Sequence, residues 1–213
     1  MEKDHISHHV AHHFDSAEQE FTAAQLGMWI FIAQEILFFS ALFVAYAVYR
    51  YLHPEMFIGA SKLLSWKMGG LNTLFLITSS FTMAMAVRSA QTNNRKLSIQ
   101  CLVATLFFAG AFLVVKYFEY SEKFHHGLLP ARWFSGASQF QYLHLFFGIY
   151  FCLTGLHGLH VLIGMILISW LIYRSYKKEF YSGYFTPVEM VGLYWHLVDI
   201  IWIFLFPLLY LIR

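Results

Sequence analysis

Residues 97–120 read LSIQCLVATLFFAGAFLVVKYFEY. From Leu97 onward the first charged side chain is Lys116, so the run stays apolar long enough to cross most of the roughly 30 Å of hydrocarbon in a bilayer. A helix buried in a soluble core is usually shorter and keeps one polar face, and this stretch has none. Comparable runs lie on either side of it. One extends over about 25–50 and closes at His53-Pro54, because proline has no N–H to donate and disfavours helix in the residue before it. The next covers about 69–90 and ends in the polar turn Gln91-Thr92-Asn93-Asn94-Arg95-Lys96. After 97–120 comes a loop holding His125, His126, Gly127 and Pro130, then a run over about 140–173 that exceeds what a membrane needs and should tilt or project. The last covers about 188–212, and Pro207 is the proline within it. The expected fold is all-α, a polytopic membrane bundle of about five transmembrane helices over residues 25–213, preceded by a polar, His-rich tail over 1–24.

Composition agrees with that reading. The chain is 59% hydrophobic and 12% charged with a mean hydropathy of +0.56, where soluble domains carry about 25% charged residues. A net charge of +2 spread through loops forms no basic face for nucleic acid. Cys101 and Cys152 lie within apolar runs, form no CxxC pair, and read as small hydrophobes. The start is polar and acidic, without the short apolar region and small-residue cleavage site of a secretory signal, so the first span should persist and act as its own insertion signal. Lysine and arginine divide almost evenly between the two sides. The compact clusters Asn93-Asn94-Arg95-Lys96 and Arg174-Ser175-Tyr176-Lys177-Lys178 lean towards a cytoplasmic N-terminus and an external C-terminus.

Ionisable groups inside a membrane must face protein or water, so they are the places to look for function. The first span has Gln34-Glu35, the third Lys116 and Glu119, the fourth His144, His157 and His160, and the fifth His196 and Asp199. Lys116 and Glu119 are three apart, share a helix face and can neutralise each other. His196 and Asp199 repeat that spacing beside Trp195 and Trp202, which suits packing or assembly as well as chemistry. His157 and His160 lie in TGLHGLHV, 154–161, whose glycines should admit a neighbouring helix. Neutral imidazole is a common metal ligand, yet no carboxylate is interleaved as a Glu-x-x-His di-iron site requires. A hydrogen-bonded helix crossing is the simpler reading. Glu35 and His160 are chemically complementary, neither can comfortably face lipid, and they are expected to bond between the first and fourth spans. The tail histidines His5, His8, His9, His12 and His13 would form one stripe on a helix and twice spell HxxHH, as in membrane di-iron desaturases. Without the other histidine boxes they read as a solvated tail with adventitious metal affinity.

In order along the chain, these motifs resemble subunit III of the haem-copper oxidases, in the cytochrome c oxidase branch. The resemblance runs through Gly27-Met28-Trp29-Ile30-Phe31, Glu35 before Phe38-Phe39, Leu71-Asn72-Thr73, Ser79-Ser80, Glu119-Tyr120, Gly155 to Val161 with Gly164, and Tyr194-Trp195-His196-Leu197-Val198-Asp199-Ile200-Ile201-Trp202. It covers nearly everything from Gln25 onward and is similar to the shorter, five-helix bacterial form; longer members have two further helices, whose cleft with the rest holds ordered lipids. The resemblance implies a non-catalytic subunit with no haem or metal of its own in a proton-pumping terminal oxidase of aerobic respiratory electron transport. Subunit I would hold the haems and oxygen-reducing copper, subunit II the dicopper entry site, and cytochrome c would donate electrons to the complex without binding here. It implies packing on subunit I, membrane lipids around the bundle, support of proton uptake, the contact between Glu35 and the second histidine of the HGLH segment, and a place in the bacterial inner membrane with room for a larger supercomplex. A quinol-oxidising relative is the nearest alternative; a free-standing membrane haem or di-iron enzyme and a transporter are alternatives of other classes.

Overall fold

The structure is a computed structural model that describes residue 12, residues 14–125 and residues 143–212. Among the described residues six helices follow in order: α1 Ala17–Leu52, α2 Pro54–Ser61, α3 Trp66–Gln91, α4 Arg95–His125, α5 Leu143–Tyr176 and α6 Thr186–Tyr210. All but α2 are long and apolar enough to cross a membrane, so this is a multi-pass membrane protein.

α1 starts earlier than the apolar pattern suggests. Ser16, in extended conformation, accepts a bond from the backbone N–H of Gln19, and Glu18 and Glu20 lie in the first turn, where carboxylates favour the positive end of the helix dipole. Part of the expected tail is therefore helix. With 36 residues at about 1.5 Å each, α1 is about 54 Å long and must tilt or project beyond the hydrocarbon. His53 ends it, and Pro54 then opens α2, because a missing N–H costs nothing in a first turn. No signal in the sequence reading separated α2 from a loop. It buries Met56, Phe57, Ala60 and Ser61, and the Ser61 hydroxyl donates to the Ile212 carbonyl, fastening α2 to the C-terminal end of the chain.

Between α3 and α4 the turn is tight. Asn93 adopts φ 60°, a left-handed conformation that asparagine tolerates better than most residues, and the two helices form the most extensive pairing in the bundle. Their seam is small and hydroxylated: Ser98 donates to the Ala86 carbonyl at 3.1 Å, and the hydroxyls of Thr82 and Thr105 are 2.8 Å apart. Lipid is as apolar as leucine, so helices in a membrane associate through close packing and hydrogen bonds, which this seam supplies. α6 is the central element, with Trp195 and Trp202 fully buried. Trp195 donates to Ser79 Oγ at 3.1 Å and Trp202 to Thr73 Oγ1 at 3.1 Å, tying α6 to α3. α1 rests mainly on α6 and only lightly on α5; Tyr46 donates to the Leu208 carbonyl near its far end.

Close approach against α5 occurs at Gly164, where an added Cβ would lie 2.6 Å from Trp195 Cζ3. The sequence pointed instead to Gly155 and Gly158. At Gly158 a Cβ would meet nothing within 4 Å, and at Gly155 only the Tyr120 hydroxyl at 3.9 Å, so these two open a groove rather than seat a helix. Cys152 is exposed rather than buried, while Cys101 is half-buried.

Candidate functional site

The intramembrane polar residues gather in three places. The largest cluster is built from α4, α5 and α6 around Lys116. Its Nζ donates to Glu119 Oε2 at 3.0 Å, to the Tyr210 hydroxyl at 2.7 Å and to the Tyr150 hydroxyl at 3.4 Å. Tyr210 in turn donates to Glu119 Oε1 at 2.6 Å. The ammonium also lies 4.7 Å from the Trp202 ring centroid, 5.3 Å from those of Tyr150 and Tyr210, and 5.7 Å from that of Tyr120. An ion pair out of water is stable only when its remaining donors and acceptors are engaged, and here hydroxyls and ring faces do that. One turn outward, Thr154 donates to the Tyr150 carbonyl at 2.6 Å and so accepts from the Tyr120 hydroxyl, also at 2.6 Å.

The second place joins α1 to α5. His160 Nε2 lies 3.1 Å from Glu35 Oε2, and His160 Nδ1 lies 2.8 Å from the carbonyl of Leu156, one turn back on its own helix. Phe39 packs edge-on against the imidazole, and Tyr194 donates to the His160 carbonyl at 2.9 Å. The pair expected from the sequence is thus formed.

The third belongs to α6 and its neighbours. His196 and Asp199 do not bond each other: His196 Nδ1 contacts the Ser80 hydroxyl at 2.7 Å, while neither oxygen of the buried Asp199 carboxyl has a hydrogen-bond partner among the described residues. The i,i+3 spacing placed them on one stretch of helix, but α3 supplies the closer partner for His196. His157 is fully buried with both ring nitrogens unpartnered among the described residues, held between the rings of Phe112 and Trp202 at centroid distances of 5.5 and 5.2 Å. Asn72 is likewise buried with its amide unpartnered among the described residues.

Sequence reasoning missed Tyr150 and Tyr210, which complete the Lys116 cluster. A phenol inside an apolar run was the available signal, since a buried Tyr hydroxyl usually finds a partner. The expected run over 97–120 also stops short of Lys123. Lys123 is inside α4, buried, and donates to the Leu63 carbonyl. Among the described residues no group of three or more His, Cys, Asp or Glu side chains is placed to hold a metal ion. Of the tail histidines, His5, His8, His9 and His13 lie outside the described residues, as do His126, Gly127 and Pro130 of the loop after α4.

Residues 6–212 match the family described as Cytochrome c oxidase subunit III. Cytochrome c oxidase subunit 3 of a Synechocystis species is 33% identical over 190 residues, covering 87% of this chain and 74% of that protein. Cytochrome bo(3) ubiquinol oxidase subunit 3 of Buchnera aphidicola is 29% identical over 185 residues, covering 87% of this chain and 92% of that protein. The Heme-copper oxidase subunit I+III of Aeropyrum pernix is 31% identical over 195 residues, which are 87% of this chain and 22% of that much longer protein. With that coverage, and with five helices suited to a membrane, the chain belongs to the cytochrome c oxidase subunit III family.

Proposed function

We propose that this protein is the non-catalytic subunit III of a proton-pumping haem-copper terminal oxidase of the cytochrome c type, in the inner membrane of a bacterium with its N-terminus cytoplasmic. The observation that carries the reading is the family match over residues 6–212. In this reading the chain packs on a subunit I that holds the haems and oxygen-reducing copper, beside a subunit II with the electron entry site. The relative from Aeropyrum pernix supports the pairing with subunit I, because its name joins subunits I and III in one protein. Cytochrome c then donates to the complex without touching this chain, and membrane lipids cover the rest of the bundle. Its own polar residues, Glu35, His157, His160, Lys116, Glu119, His196 and Asp199, act in packing and in supporting proton uptake rather than as ligands.

The ubiquinol oxidase relative, at 29% identity and 92% coverage of its own length, is the ground for a second reading of the donor. In that reading the same subunit serves a quinol-oxidising complex. Purifying the complex through a tag on this chain tests both: haem and copper polypeptides should accompany it, and the co-purified subunit II should show whether a dicopper site is present. A strain lacking this chain should keep the haem spectrum of the remaining complex while its activity declines during sustained turnover. A Soret band from this chain isolated alone, or loss of haem from a folded subunit I on its mild removal, would overturn the proposal.

A further inference from the structure

Between α4 and α5 runs a groove of about 630 Å³ that opens sideways out of the bundle. Its lining changes character along its length. Leu113, Leu159 and Leu162 form one end, while Tyr117, Ser121 and Phe124 form the other, with Lys116, Tyr120 and Thr154 between them. It is open because Gly155 and Gly158 carry no side chain where α5 faces it. We propose that this groove binds one phospholipid from the leaflet at the Phe124 end, with its glycerol esters at Tyr117 and Ser121 and the first part of an acyl chain along Leu113, Leu159 and Leu162.

Depth is the first argument. Counted from Leu97, about 20 residues of helix cross a hydrocarbon core of roughly 30 Å, which puts Lys116 close to the boundary between hydrocarbon and headgroups. Leu113 then lies just inside the hydrocarbon, and Tyr117 and Ser121 lie at the level where a phospholipid carries its ester carbonyls. Hydrogen bonding is the second. Tyr117 and Ser121 are four apart on one face of α4, both line the groove, and neither hydroxyl is engaged with another group among the described residues. Ester and phosphate oxygens only accept, so two free hydroxyl donors complement them, whereas the Lys116 ammonium is already committed to Glu119 and Tyr210. Exposed aromatic rings at Tyr117 and Phe118 are what a helix presents at the headgroup level. This groove lies within the five-helix body and depends on the chain being membrane-embedded, independent of which oxidase it joins.

The test uses the intact complex purified in mild detergent. A photo-reactive amino acid at Leu159 should, on irradiation, add the mass of a phospholipid to this chain. Adducts to another polypeptide, or to residues 126–142 of this chain, would overturn the proposal by showing a different occupant. In parallel, Gly155→Leu with Gly158→Leu fills the groove from its open wall, and the complex should retain one phospholipid fewer after delipidation, measured by phosphorus and mass spectrometry. Gly110→Leu, where a Cβ also meets nothing within 4 Å, is the control and should retain the wild-type number. Equal retention by the filled variant would reject the site. Should that variant fail to assemble, the Leu159 adduct decides alone.

Discussion

His160 Nε2 of α5 lies 3.1 Å from Glu35 Oε2 of α1, a direct contact between the two helices. His160 Nδ1 lies 2.8 Å from the Leu156 carbonyl, which can only accept, so Nδ1 carries its hydrogen. The 3.1 Å contact of Nε2 with Glu35 then needs one more proton, held either by the ring or by the carboxyl. Because α1 touches α5 only lightly, this contact is a main tie between those two helices.

Glu35→Leu should therefore loosen α1. Leaving the half-buried His160 nitrogen without a partner costs about 1 kcal/mol, read as an earlier midpoint when the purified protein is unfolded by SDS. Glu35→Gln can still donate to the imidazole and should lose less than that. Equal losses for the two variants would show that the contact does not hold the helix.

Lys116 and Glu119 should behave as a unit. Lys116→Met strands the Glu119 carboxylate among rings, and breaking a buried pair this way costs about 3–5 kcal/mol. The double change Lys116→Met with Glu119→Leu should recover much of that loss, because no uncompensated charge remains. A double variant as unstable as the sum of the singles would place the stability in the individual side chains instead.

Two glycines on one helix should respond in opposite ways. Gly164→Ala drives a methyl to within 2.6 Å of the Trp195 ring, and overpacking of that kind costs about 1–3 kcal/mol. It should also disturb the bond from Trp195 to Ser79, visible as a shift in tryptophan emission. Gly158→Ala meets open space and should leave both emission and melting unchanged; a loss at Gly158 matching that at Gly164 would contradict the packing described.

Residues before Ser16 should be dispensable for insertion, since the spans carry the apolar length that drives it. A truncation beginning at Ser16 keeps the cap on Gln19 and should reach the membrane at wild-type levels. Ser16→Ala in the full chain should cost about 1 kcal/mol at the start of α1. Failure of the truncated chain to enter the membrane would show that the tail acts in insertion.

The sequence by itself determined that this is a membrane bundle, because apolar length against bilayer thickness admits few alternatives. It also determined which ionisable residues must turn inward, and it paired Lys116 with Glu119, since positions three apart share a face on any α-helix. Glu35 and His160 could be matched across two helices because few other groups at that depth could satisfy them. The tertiary structure decided the rest. Tyr150 and Tyr210 close around Lys116, Ser80 takes His196 away from Asp199, Lys123 turns inward to Leu63, and Gly164 rather than Gly158 receives a neighbour. Each of these depends on the rotation and axial offset of one helix against another. Local periodicity fixes angles within a helix, but relative rotation is set by the summed packing of every ring and hydroxyl along the seams, which no single segment carries.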